Sequence, residues 1–157
     1  MIYDNLKIFS QNICKNTLIV NTILKTHSHL NIIFIQEPPW SIVCSIPSST
    51  SSGGEVQVGA PYHPNWLSFT RPPATQSDFP RVLAYINIHL FFFCFSLHRD
   101  IINHRDILLI SFFSNNVCFF IMNIYSDTSH SVLKYLKDTK VNINNLLIIT
   151  GNFNIRD

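Results

Sequence analysis

At 157 residues the chain is long enough for one domain with a sizeable core. Charged residues make up 13%, about half the usual share, and with 13 Phe and a mean hydropathy of +0.19 the apolar surface must be buried or left sticky. A net charge of +2 and a pI near 8.4 exclude a strongly basic or acidic protein and neither demand nor exclude a polyanionic partner.

The chain opens with Leu6–Asn12, which alternates apolar and polar residues for part of its length and predicts a first strand. Asn16 is placed to cap a helix over Thr17–Lys25, whose pairs Ile19/Ile23 and Val20/Leu24 build one apolar face. Asn31–Gln36 predicts a second strand, so the opening reads as a strand, helix, strand unit. Ser45–Gly54 predicts a flexible polar loop, and Pro61, Pro64, Pro72 and Pro73 keep the next stretch irregular apart from a short strand at Trp66–Phe69.

Arg81 then opens a series of strands over Val82–Ile88, Phe91–Leu97, Ile107–Phe113 and Val117–Tyr125, the last two as an antiparallel hairpin. Val82–Leu97 is the one membrane suspect. At 16 residues it falls short of the about 18–20 needed to span a bilayer, and Asn87 and His89 interrupt it. Two strands joined by a tight connection explain it better, with a small membrane-associated protein as the rival. A second helix over Ser131–Lys137 puts Val132 and Leu136 on one face. Leu146–Ile149 closes the series as an apolar run suited to a strand buried on both faces. This mixed order predicts an α/β sandwich more than a purely parallel sheet.

Cys14, Cys44, Cys94 and Cys118 lie 30, 50 and 24 residues apart, which is not zinc-ligand spacing. With no secretory signal at the start, they predict reduced, mostly buried thiols in an intracellular protein. His27 and His29 form the one close His pair and lack a neighbouring carboxylate or Cys, which argues against a metal there.

Four strand ends carry polar groups: Gln11-Asn12, Gln36-Glu37, Asn123-x-Tyr125 and Gly151-Asn152-Phe153-Asn154. With Ile35-Gln36-Glu37-Pro38, Arg81-Val82-Leu83-Ala84-Tyr85-Ile86 and the closing GNFNIRD, this order resembles the endonuclease/exonuclease/phosphatase superfamily, and within it the endonuclease domain of LINE-type (non-LTR) retrotransposons. The resemblance spans nearly the whole chain. It implies a partial four-layer α/β sandwich of two packed mixed β-sheets with outer helices, residues 1–157 being the N-terminal portion of the domain and the C-terminal part missing.

It also implies metal-dependent cleavage of a phosphodiester, with Mg²⁺ or Mn²⁺ as cofactor, DNA ahead of RNA as partner, and a nuclear location. Glu37 matches the metal-ligating Glu, and Asn12 the Asn that helps hold metal and phosphate. Tyr125 matches a Tyr that contacts the phosphate, and Asn154 the Asn that positions phosphate and nucleophile. Taken singly, each has a plainer role: Asn12 and Asn154 can satisfy strand-end backbone, Glu37 can be an exposed charge, and Tyr125 a core ring with a wet hydroxyl.

Two departures qualify the likeness. Asn152 stands where the family has the Asp of GDFN, and an amide cannot accept a proton at neutral pH. The family's closing Ser-Asp-His motif has no match either. The expectation is therefore a degenerate, truncated copy with little or no nuclease activity, which self-associates through uncovered sheet surface. The alternatives are a non-catalytic nucleic-acid-binding remnant and a phosphatase or RNA nuclease relative of the same fold.

Overall fold

The computed structural model describes residues 6–46, 55–71, 78–90, 93–114 and 117–154. Two four-stranded mixed sheets face each other, and one helix covers the outer side of each.

The first sheet has the order β1 (Ile8–Asn12), β2 (Ile32–Gln36), β6 (Val82–Asn87), β5 (Trp66–Phe69). β1 and β2 run parallel because α1 (Thr17–Thr26) carries the chain back between them, as the opening pattern predicts. The Asn16 side chain accepts a hydrogen bond from the Ile19 N–H at 3.2 Å and starts that helix, although nothing acidic reinforces its first turn. Val20, Ile23 and Leu24 bury its apolar face against Ile33, Ile35, Leu83 and Tyr85. At roughly 1.5–3 kcal/mol for each fully buried aliphatic side chain, this packing outweighs the helix's modest propensities.

The second sheet has the order β10 (Leu146–Asn152), β9 (Val117–Tyr125), β8 (Ile107–Ser114), β7 (Cys94–Leu97). β8 and β9 form the expected antiparallel hairpin, and β9 and β10 run parallel across α2 (Ser131–Thr139). Val132 is the fully buried anchor of α2, with Leu136 packed beside it on Ile107, Leu109, Met122 and Ile124. Between the sheets, Ile32, Phe34, Val82, Ala84 and Ile86 meet Leu108, Ile110, Phe112, Phe119 and Ile121. At one end of this layer Phe112 and Phe119 stack, Phe93 packs edge to face on both, and Phe95 packs edge to face on Phe112, which is where part of the Phe excess goes.

Two amides cross the interface between the sheets. Gln36 Nε2 donates to Asn123 Oδ1 at 2.6 Å and to Ser10 Oγ at 3.1 Å, and Asn123 Nδ2 reaches the Ile35 and Leu83 carbonyls at 3.3 Å. Both residues are buried, and every lone donor they bring inside is matched.

Several expectations are corrected. Leu146–Ile149 is not buried on both faces: among the described residues β10 is an edge strand, and Leu147 and Ile149 are 61% and 54% exposed. A short apolar run signals a strand but not what covers it. Ser45 and Ile46 fall within β3 (Ser41–Ile46), which pairs with β4 (Glu55–Gly59); the rest of the predicted loop, residues 47–54, lies outside the described residues. Val82–Leu97 does hold two strands, but β6 and β7 belong to different sheets. Of the thiols the structure describes, Cys14 and Cys94 are exposed and Cys118 is half-buried, less burial than expected; the Cys44 side chain lies outside what is described. Among the described residues no helix is long and apolar enough to cross a membrane.

Candidate functional site

Each sheet contributes one parallel pair, and the carboxyl ends of the two pairs meet. Asn12 lies opposite Gln36 in the first sheet, and Asn152 lies opposite Tyr125 in the second. Polar residues at and just past the carboxyl ends of these strands therefore collect at one edge of the sandwich, a common place for chemistry in α/β proteins.

Glu37 is delivered there by strained backbone. Its φ of 49° is rare for a residue with a side chain, and the same left-handed region recurs at Cys14, Lys15 and Asn154 around the site. Hydrogen bonds on both sides hold it: the Glu37 N–H donates to the Arg81 carbonyl and the Lys15 N–H to the Glu37 carbonyl, each at 2.8 Å. The carboxylate then accepts from Asn12 Nδ2 at 3.0 Å. The Cys14 N–H donates to Asn12 Oδ1 at 2.9 Å, which fixes the amide so that its NH₂ faces Glu37.

Tyr125 is buried beside this pair. Burial first, and then the Glu37 carboxylate, push its phenol above the ordinary value, so the hydroxyl keeps its proton and remains a donor. Asn152 Oδ1 accepts the Asn154 N–H at 3.0 Å, and Asn154 Nδ2 donates to the Ser126 carbonyl at 2.7 Å. These bonds close a tight turn at the end of β10. Gly151 makes the turn accessible: its φ is 147°, and a Cβ there would sit 1.8 Å from the Ile124 carbonyl oxygen. Asn12 and Glu37 thus touch directly, while Tyr125, Asn152 and Asn154 gather on the facing sheet.

Arg81, Asp106 and Asp127, to which the sequence pattern gives no role, form the floor of the site. Arg81 donates from Nε and Nη2 to the two oxygens of Asp106, and again from Nη2 to Asp127 Oδ2 at 2.9 Å. Its pKa is raised, chiefly by the hydrogen bond to Asp106, and its guanidinium carbon lies 4.7 Å from the centre of the Tyr125 ring. Asp127 is held at about 2, first by the Ser129 hydroxyl and then, against some burial, by Arg81. Burial lowers the His104 pKa, and its Nδ1 accepts the Asp106 N–H at 3.2 Å. The available signal was Asp106 itself, a lone carboxylate set directly before the apolar run Ile107–Ile110.

With Asp106 and Asp127 committed to Arg81, Glu37 is the remaining acid of the site among the described residues. Among the described residues no three His, Cys, Asp or Glu side chains cluster as a preformed metal site. One hard carboxylate beside an amide fits Mg²⁺, which commonly takes one or two carboxylates and completes its shell with water and phosphate oxygens. Next to Glu37 opens a cleft of about 750 Å³, lined by Lys15, Thr17, Trp40, Phe79, Arg81 and Arg105.

No protein-family model matches the sequence, and no curated protein matches it. Among solved structures the chain is similar to the endonuclease domain of TRAS1, a telomere-specific non-LTR retrotransposon, with a TM-score of 0.66 and 12% identity. The match covers 98% of this chain and 61% of that one, so the chain spans less than two thirds of the related structure. The two sheets and their outer helices thus share the α/β fold of that endonuclease domain.

Proposed function

We propose that the chain is a degenerate copy of a retroelement endonuclease, whose site at the ends of β1, β2, β9 and β10 binds a nucleic-acid phosphodiester, DNA ahead of RNA, and cleaves it at or near background. The observation that carries this reading is the Asn12–Glu37 hydrogen bond at 3.0 Å, made by two residues 25 positions apart at the ends of parallel strands.

Each group has a definite capacity. Glu37 would hold Mg²⁺ or Mn²⁺ with Asn12 beside it, and the ion would offset charge on the phosphate oxygens. Tyr125 donates its hydroxyl proton in a hydrogen bond to a phosphate oxygen. Asn154 holds the turn through Ser126 and so positions Asn152. Asn152 has its Oδ1 occupied by the Asn154 N–H, which leaves its NH₂ to orient a water or a phosphate oxygen. It cannot take the proton of an attacking water, and loss of a positioned base typically lowers the rate about 10²–10⁴-fold. Leu147 and Ile149, exposed on β10, support self-association through that strand.

The test is binding of labelled duplex DNA by fluorescence anisotropy alongside nicking of supercoiled plasmid in Mg²⁺ or Mn²⁺. Binding that weakens with salt, without nicking, is expected. The Asn152→Asp variant should also stay at background, since among the described residues no His bonds to Asn12, Glu37, Tyr125, Asn152 or Asn154 to replace the family's closing motif. Efficient nicking by the wild type would overturn the assignment of Asn152 as the lesion. Absence of DNA binding even at low salt would remove the nucleic-acid reading.

A further inference from the structure

The cleft beside Glu37 has a chemistry that the phosphodiester site does not use. Its walls are the segment following β2 and the segment preceding β6, and they bring Trp40 and Phe79 together with ring centroids 6.4 Å apart and planes at 25°. The Trp40 indole N–H donates to the Pro80 carbonyl at 3.1 Å, which fixes the ring without help from a ligand. Trp40 is half-buried, and buried Pro38 and Pro39 lead into it from Glu37. A rigid, part-exposed aromatic face three residues from the site carboxylate is therefore already in place.

The charged groups around it divide into two kinds. Arg81 is bound by Asp106 and Asp127. Lys15 is exposed and makes no side-chain hydrogen bond or ion pair among the described residues. Arg105 approaches Asp106 only at 3.8 Å, and both oxygens of that carboxylate already accept from Arg81. Two cations thus remain available, against the single carboxylate of Glu37. With the buried acids counted, the cleft is not strongly positive. Stacking must therefore supply more of the binding than charge.

We infer that this cleft is a subsite for an unpaired nucleotide of the strand bound at the Glu37 site, its base stacked on Trp40 and its phosphate near Lys15 and Arg105. The inference builds on the reading of that site as phosphodiester-directed and adds a preference for unpaired strand over continuous duplex. Aromatic stacking suits such a base because every base has a π-face, whereas a paired base keeps its faces inside the helix. At about 750 Å³ the cleft is roomy for one nucleotide.

The chain supplies its own reporter. It has two Trp, and Trp66 is buried with its indole N–H donated to the Leu24 carbonyl at 3.1 Å, so quenching by a ligand in the cleft comes from Trp40. The probe is a short oligothymidylate, added in EDTA so that no divalent ion takes part. Saturable quenching is expected, with a shallow salt slope near −0.7 for each phosphate contacted.

By anisotropy with labelled oligothymidylate, Trp40→Ala should lose about tenfold in affinity, the scale of one stacked base. Trp40→Phe should keep most of the affinity while losing the quenching, which separates a lost ring from a lost fold. Equal affinity for Trp40→Ala and wild type, or tighter binding of a blunt duplex of the same length, would overturn the inference. Oligothymidylate binding that requires Mn²⁺ and Glu37 and is equally tight in Trp40→Ala and wild type would also overturn it, while leaving the phosphodiester site standing. Quenching that depends on Trp40, without any effect of Mn²⁺, would uphold the cleft and count against the metal site alone.

Discussion

Arg81 stacks its guanidinium on the ring of Tyr125, with 4.7 Å between the guanidinium carbon and the ring centre. The Arg immediately precedes β6 of the first sheet and the Tyr ends β9 of the second, so the contact couples the floor of the site to one of its candidate phosphate contacts. Arg81 can hold this pose because Asp106 and Asp127 fix its fork from the other side.

The two acids should differ in energetic weight. The Asp106 side chain is 1% exposed and that of Asp127 26% exposed. Breaking a buried pair by removing one partner typically costs about 3–5 kcal/mol, whereas exposed pairs contribute about 0–1 kcal/mol. Asp106→Ala should therefore lower stability in urea by about 3 kcal/mol, near the lower end because Arg81 keeps Asp127. Asp127→Ala should cost about 1 kcal/mol or less. Equal losses in the two variants would show that Arg81 is not anchored from beneath.

Asp127 also sets an acid limit. Its folded pKa, about 2, lies below the ordinary carboxylate value of 3.8, so the folded state favours the charged form. Its contribution is fully present above the unfolded value and disappears as pH falls from about 4 through about 2. Thermal melts across that window should show a steeper loss for the wild type than for Asp127→Asn. Parallel curves would mean that the Ser129 and Arg81 hydrogen bonds do not persist in solution.

Gly151→Ala should destabilise the chain by more than about 1 kcal/mol, because the new methyl meets backbone oxygen and the φ is unfavourable for a side chain. The damage should centre on the turn that holds Asn152 and Asn154. Hydrogen exchange at the Asn154 and Ser126 amides is the readout. Unchanged protection of both would detach Gly151 from the geometry of the site.

Metal affinity should be weak and should depend on Glu37. Calorimetric titration with Mn²⁺ should give a measurable signal for the wild type and none for Glu37→Gln, which keeps the side-chain shape and an acceptor for Asn12. Equal affinities in the two proteins would remove Glu37 from any metal site.

Elements with a strong local pattern were legible in the sequence. Asn16 and the four-spaced pairs after it mark α1, and the β-branched run of β2 marks a strand buried on both faces. β3 and β4 were missed because Ser- and Gly-rich sequence beside them reads as loop. The order of the motifs foretold that Asn12 and Glu37 belong together. It held no trace of the left-handed backbone that aims Glu37, which depends on Lys15 and Arg81 from other segments. The Arg81 ion pairs, 25 and 46 residues apart in sequence, are likewise products of the tertiary arrangement.

The Gln36–Asn123 pair has a mechanical consequence. Apolar faces alone tolerate small sliding steps, because one methyl can take the place of another at little penalty. Two buried amides cannot slide without each losing a partner, at about 1–3 kcal/mol for each polar group stranded. They therefore act as a dowel between the sheets and block shear along the strands. Gln36 immediately precedes Glu37, and Asn123 stands two residues before Tyr125. Any slippage that the dowel prevents would otherwise appear in full as a change in the gap between carboxylate and phenol.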